Sequence, residues 1–251
     1  MTLPVIDCHA HLADERVLPR LNEVLERSRR NGLRGVLANA ARLREFESVA
    51  EIAATDVKTA FGIHPFWPEE WPSARLALEE ALKAHPTASV GEIGLDFYGG
   101  RDNKSAQETA FAEQLSLALE YGRAVCLHNR KAWQEFFGIL KTLGVSSLGG
   151  YMHNFTGSRE IAAKLLDLGL HISFAAPVAY PEAHRLREVS AYIPAERLLT
   201  ETDCPDLPYT RGELTEAWQA VNALQALAIA RGMAVEPLAE QIVTNYNNVF
   251  K

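Results

Sequence analysis

The sequence predicts a (β/α)8 barrel built as one domain over residues 1–251, and three observations carry that prediction. Eight short apolar runs are each followed by a stretch in which apolar residues recur at helical spacing. This alternation fills 251 residues with no break in composition, which implies a parallel sheet in one unit of a size usual for such a barrel. No glycine-rich phosphate loop follows the first run, where an open nucleotide-binding sheet would often carry one.

The elements follow in order. Residues 3–6 form a buried strand, and 17–30 a helix with apolar residues at Val17, Leu18, Leu21, Val24 and Leu25, stopped by Asn31-Gly32. Strand 36–38 precedes helix 46–54. Strand 58–63 precedes helix 74–84, which His85-Pro86 closes. Strand 88–94 carries Glu92 and leads to the long helix 107–121. Strand 124–127 precedes helix 133–143, and strand 149–152 precedes helix 158–168, with Ser158 as its cap and Gly169 as its stop. Strand 170–174 precedes helix 182–192, and strand 197–200 precedes helices 214–231 and 237–245. There is no internal repeat and no low-complexity segment.

Composition narrows the class. Hydrophobic residues are 47% and charged residues 23%, as in a soluble globular protein. No stretch approaches the roughly 18–20 apolar residues of a membrane span. The start lacks a basic-then-apolar signal pattern, because Pro4 and Asp7 interrupt it. Three cysteines, Cys8, Cys126 and Cys204, argue for a reducing compartment, so a cytoplasmic location is expected. A net charge of −7 is unlike a protein that grips duplex nucleic acid by its backbone, so any such work rests on local charge or bound cations. No obligate protein partner is implied.

The chemistry gathers at the ends of the strands. His9 and His11 leave the same face of an extended segment and can meet one ion. His64, His128, His153 and Asp203 end later strands, and Glu92 lies near the end of its own. In a closed barrel the C-terminal strand ends form one rim, so these distant residues converge there. Glu92 lies between glycines and apolar residues, where a carboxylate is costly unless paired or metal-bound. Its two oxygens can bridge two cations roughly 3.5–4 Å apart.

Eight blocks carry a family resemblance along nearly the whole chain. They are Asp7-Cys8-His9-Ala10-His11, Gly62-Ile63-His64-Pro65 and Gly91-Glu92-Ile93-Gly94-Leu95-Asp96-Phe97-Tyr98. Then come Gln107 with Phe111, Gln114 and Leu115, followed by His128-Asn129-Arg130-Lys131-Ala132, His153-Asn154-Phe155-Thr156-Gly157-Ser158, and Glu201-Thr202-Asp203-Cys204-Pro205 with Asn248-Val249-Phe250 at the end. The chain resembles the TatD family of metal-dependent deoxyribonucleases, within the amidohydrolase-like barrels. The resemblance implies a divalent-metal-dependent hydrolase of DNA, cutting single-stranded ends, or of a small phosphoester. It implies two divalent ions, Mg2+, Mn2+ or Zn2+: His9, His11, Glu92 and Asp203 for one, Glu92, His128 and His153 for the other. Softness arguments favour Zn2+ or Mn2+ for so much imidazole. His64 and Arg130 would contact a phosphate, and Asp203 and Glu92 would be the catalytic carboxylates, with Asp203 as general base or purely as ligand.

One block departs from the family. Arg211-Gly212 is followed by Glu213-Leu214-Thr215-Glu216-Ala217 where the family carries Lys-Arg-Asn-Glu-Pro, with Thr215 left to cap the helix. That loop bears on the substrate rim more than on the chemistry. The acidic charge keeps open a different bond on the same site, an amide, ester, lactone or aminoacyl-tRNA ester, and an inactive binding protein is the third reading. Cys8, between the two histidines, is expected to point to the helix layer, and Cys126 into the barrel beneath the site. Cys204 is a weaker candidate ligand. Trp67 and Trp71 either pack the loop or stack on a base. Lys104, Lys131, Arg159 and Arg211 are candidates for local positive charge.

Overall fold

A computed structural model describes residues 2–100, 102–209 and 212–251. Arg211, one of the cations expected at the rim, lies outside the described residues. Eight strands lie side by side in chain order and all parallel: β1 (Val5–Ala10), β2 (Leu33–Asn39), β3 (Val57–Phe61), β4 (Ser89–Asp96), β5 (Val125–Arg130), β6 (Gly150–Met152), β7 (His171–Phe174) and β8 (Leu198–Thr200). The sheet closes where β8 meets β1. A parallel bridge joins Ala10 to Cys204, His11 N–H donates to Cys204 O at 2.7 Å, and Asp203 N–H donates to His9 O at 3.0 Å. The expected (β/α)8 barrel is what the chain forms.

Around it run α1 (Leu21–Arg30), α2 (Phe46–Glu51), α3 (Trp71–Ala84), α4 (Lys104–Glu120), α5 (Trp133–Thr142), α6 (Arg159–Asp167), α7 (His184–Tyr192), α8 (Ala220–Arg231) and α9 (Val235–Val249). The cap expected at Ser158 forms. Ser158 Oγ accepts from Ile161 N–H at the start of α6, and Gly232, left-handed at φ +61°, ends α8. Helix starts also shift, α3 beginning at Trp71 rather than 74, α4 at Lys104 rather than 107 and α7 at His184 rather than 182, and two further starts change in kind. The segment from Leu18 begins as a 3-10 turn over Leu18–Arg20, with Pro19 in it, before α1. Ahead of α8, Glu216 rather than Thr215 is the cap: Glu216 and Gln219 satisfy each other's backbone amides, and the Thr215 hydroxyl is buried with no partner.

The strands are longer at their C-terminal ends than the apolar runs suggested. β1 reaches Ala10, β4 Asp96 and β5 Arg130, because the ladder continues through the polar residues. His9, Glu92 and His128 therefore sit in strands, held by the ladder. Two glycines allow β4 to approach β5. A Cβ at Gly91 would lie 2.3 Å from Cys126 Cβ, and one at Gly94 would lie 1.9 Å from His128 O.

One expected direction is corrected. Cys8 faces the lumen, with its Sγ 3.1 Å from Ser173 Oγ on β7 and 3.7 Å from Glu201. The pairing of β1 with β2 shifts register between Asp7 and Ala10, so strict alternation does not hold where His9 and Cys8 adjoin. Cys126 is buried in the core as expected, and Cys204 packs in the outer layer with Ala10, Leu12 and Ala217, away from the site.

Candidate metal centre

The C-terminal mouth of the barrel opens into a cavity of about 710 Å3. His11, His64, Glu92, His128, Arg130, His153 and Asp203 line it, and His9 lies just beneath, fully buried. The structure thus brings all eight predicted residues to one end of the fold.

Glu92 is the hub. Its Oε2 lies 3.1 Å from His9 Nε2 and 3.4 Å from His11 Nε2, while Asp203 Oδ1 lies 3.8 Å and 3.4 Å from the same two nitrogens. Its Oε1 faces the other three imidazoles, at 2.8 Å from His128 Nδ1, 3.4 Å from His64 Nε2 and 3.8 Å from His153 Nε2. Three triads, His9–Glu92–His153, His9–His11–Asp203 and His64–Glu92–His128, each hold donor atoms within 4.8 Å of one another. Arg130 stands farther out on the cavity wall, its guanidinium 3.7 Å above the Tyr98 ring.

Charge follows from these distances. Burial alone would raise the Glu92 carboxyl, but His64, His9 and His153 hold it well below the usual range. Asp203 is treated the same way: burial raises it, and His153 and His11 bring it below its ordinary value. Burial lowers His153, but Glu201, Asp203 and Glu92 push it up to about 10. His64, for which burial prevails, falls to about 4 and is neutral at pH 7.

Hydrogen bonds sort the imidazoles. His64 Nδ1 accepts from Phe66 N–H at 3.0 Å, so its proton is on Nε2, which faces the site as a donor. His11 Nδ1 lies 3.2 Å from Asn39 O, an acceptor, so its Nε2 is the nitrogen turned to the carboxylates. A site that gathers imidazole nitrogens and ionised carboxylates from five strands and their loops fits a hard or borderline divalent cation, which would take the place of the proton that His153 holds. That donor set also agrees with the outer shell around it.

Sequence reasoning quoted three residues of that shell without a role. Glu201 is fully buried, with Oε1 2.7 Å from His153 Nδ1, off the N–H axis, while accepting Asn154 N–H at 2.8 Å. Asp96 Oδ2 lies 3.2 Å from His128 Nε2. The third, Asp7, accepts from Thr202 N–H and Oγ1–H and so ties β1 to the loop after β8. Asp96 and Glu201 are buried carboxylates that orient imidazoles, whereas burial pushes the Asp7 carboxyl up to about 8 and it meets His9 only at the backbone N–H; Glu201 and Asp203, two apart after a strand, are the pattern that marks one of them. Asp203 itself holds φ +65°, a left-handed conformation that Asp adopts more readily than most residues and that aims its carboxylate into the mouth.

The two tryptophans separate. Trp71 is buried and donates to Glu113 from Nε1 at 3.0 Å, so it packs α3. Trp67 lines the cavity, with the Arg42 guanidinium 4.7 Å above its ring. Lys104 lies over Phe97 and Arg159 over Tyr192. His85 lies tilted against Phe61, His171 opens β7 and His184 opens α7, none of them at the mouth.

The fold and this mouth define a metal-dependent hydrolase barrel. The family model "TatD related DNase" matches residues 6–251, and the chain belongs to that family. The chain is 32% identical to "Uncharacterized metal-dependent hydrolase YabD" of Bacillus subtilis, covering 98% of this chain and 99% of that one. It is also 32% identical, with the same coverage, to "3'-5' ssDNA/RNA exonuclease TatD" of Pantoea ananatis. Among solved structures, the TatD homologue YjjV of Escherichia coli K12 superposes with a TM-score of 0.91 at 29% identity, over 100% of this chain and 99% of its own. Among the described residues no helix is long and apolar enough to cross a membrane.

Proposed function

We propose that this hydrolase is a two-cation nuclease that cuts phosphodiester bonds of DNA from single-stranded ends in the cytoplasm. The observation that carries the reading is the division of imidazoles between the two oxygens of Glu92. His9 and His11, with Asp203, stand on one side, and His128 and His153 on the other. These six residues would hold two of Mg2+, Mn2+ or Zn2+, with Glu92 shared. Divalent cations bound there supply Lewis-acid polarisation of a phosphoryl oxygen and acidify water.

The chain's own residues do the rest. Asp203, ionised at neutral pH, orients water and takes its proton as general base. Neutral His64 donates Nε2–H and Arg130 its guanidinium to phosphate oxygens, where charge grows as the bond to the leaving oxygen breaks. The cavity suits one or two nucleotides rather than a duplex, within the range of roughly 300–1,000 Å3 for small-ligand sites. Trp67 gives its wall an aromatic face for a base. The name of the Pantoea ananatis relative supports the same substrate class.

The test is a panel of end-labelled single-stranded DNA, blunt duplex, a p-nitrophenyl ester and an amide, run with EDTA and with Mn2+ restored. Stepwise shortening of the single strand that EDTA stops and Mn2+ returns is the expected result. EDTA-resistant cutting, or EDTA-sensitive turnover of the ester or amide alone, overturns the nuclease reading.

A further inference from the structure

Beneath the cavity, the barrel lumen holds a hydroxyl to which the reaction above gives no role. Tyr151 lies on β6 two residues before His153, so both side chains leave the strand on the same face. Tyr151 is fully buried. Phe250, just beyond α9, meets the Tyr151 ring edge-on at 5.8 Å between centroids and rests in turn against Tyr246. The phenol is thus supported from the closed end of the barrel and points its oxygen across the lumen toward β1.

There it makes two contacts on adjacent residues, and on its own side of the lumen it meets the Cys126 thiol of β5. Its hydroxyl donates to Cys8 O at 2.6 Å, and the same oxygen lies 2.8 Å from His9 Nδ1. A phenol has one proton. Once that proton is given to Cys8 O, the oxygen can only accept from His9, and His9 must then carry its own proton on Nδ1. Its Nε2 is left as a lone pair, directed at Glu92 and Asp203. His11 obtains the same tautomer from a backbone carbonyl, at Asn39. For His9 the partner is a side-chain hydroxyl that one substitution can remove.

We infer that Tyr151 is a positioning residue that locks His9 in the Nδ1–H tautomer and so presents its Nε2 to a divalent cation. The inference rests on the reading of His9 as a metal ligand. Tyr151→Phe deletes the hydroxyl and keeps the ring against Phe250, so it tests the lock without opening a cavity.

Mn2+ alone is titrated into wild type, Tyr151→Phe and His9→Ala, and the histidines of metal-free protein are followed by 15N NMR. The expected result is Mn2+ affinity about 10- to 100-fold weaker in Tyr151→Phe, with the His9 Nδ1–H signal lost or exchanging and the unfolding temperature lowered by only a few degrees, as the loss of one buried hydroxyl predicts. At saturating Mn2+ kcat falls while KM for single-stranded DNA stays near wild type. Tyr151→Phe that binds Mn2+ like wild type and keeps the Nδ1–H signal, while His9→Ala binds weakly, overturns the lock and leaves the ligand reading standing. His9→Ala that binds like wild type overturns the ligand reading of His9, and the lock with it.

Discussion

At one end of the barrel, His9, His11, His64, His128 and His153 face Glu92 and Asp203 across a cavity; at the other, Asn245 and His171 meet backbone carbonyls beneath the first residues of the strands. Both ends bury polar groups, but they resolve the cost differently. At the mouth, opposite charges hold each other in the ionised form: Glu92 stays low and His153 rises to about 10 although burial opposes both. At the base, burial prevails at His171 with Arg197 adding to it, and the imidazole falls to about 4 and is neutral. Asn245 is uncharged, and its amide donates to Ala195 O at 2.7 Å and Leu198 O at 2.8 Å. The mouth is arranged for chemistry and the base for closure, so substitutions at the two ends should separate activity from stability.

The largest expected effect is at the mouth. Asp203→Asn keeps a residue that tolerates the left-handed backbone but removes the base, and kcat on single-stranded DNA should drop about 10³-fold, equivalent to about 4 kcal/mol of barrier, with KM little changed. Steady-state kinetics at saturating Mn2+ check this; a variant with near-wild-type kcat would show that Asp203 is no base.

Asn245→Ala should act at the base alone. It removes two hydrogen bonds, one to part-buried Ala195 O, which keeps Leu198 N–H, and one to buried Leu198 O, and stability should fall by about 1–3 kcal/mol, read from urea unfolding. Turnover per folded molecule should match wild type. A loss of activity with intact stability would break the division between the two ends.

The smallest effect is the pH response of His171. In the unfolded chain its pKa is near 6.5 and in the fold about 4, so as pH falls the unfolded chain takes up the proton first. The neutral imidazole's contribution is therefore complete above about pH 6.5, falls away between 6.5 and 4, and amounts to at most about 3 kcal/mol. His171→Gln should unfold with a shallower loss of stability across that window than wild type. Equal slopes would place a compensating charge beside His171.

The motifs made much of the mouth legible. A His-x-His at the end of one apolar run, a Glu between glycines and an Asp after the last run are polar residues where a buried strand should finish, and only a shared site makes that economical. Asp96, Glu201 and Tyr151 were harder to read. Each sits inside a quoted or apolar block, and its partner is 32, 48 or 142 residues away, so no local pattern names the contact. Cys8 shows the same limit: alternation sends it outward, while a register shift in β1, set by pairing with β2, turns it inward.

By itself the sequence determined the eight-fold alternation, the residues that reach the rim and the chain's family, because strand period, helix period and cap chemistry are local and each can be read within a few residues. Tertiary structure decided which oxygen of Glu92 each imidazole faces, that the neutral His64 turns a proton rather than a lone pair to the site, and that a phenol from β6 meets His9. Those outcomes depend on how strands distant in the chain are aligned across the lumen, and a hydrogen bond's direction exists only once both partners are in place.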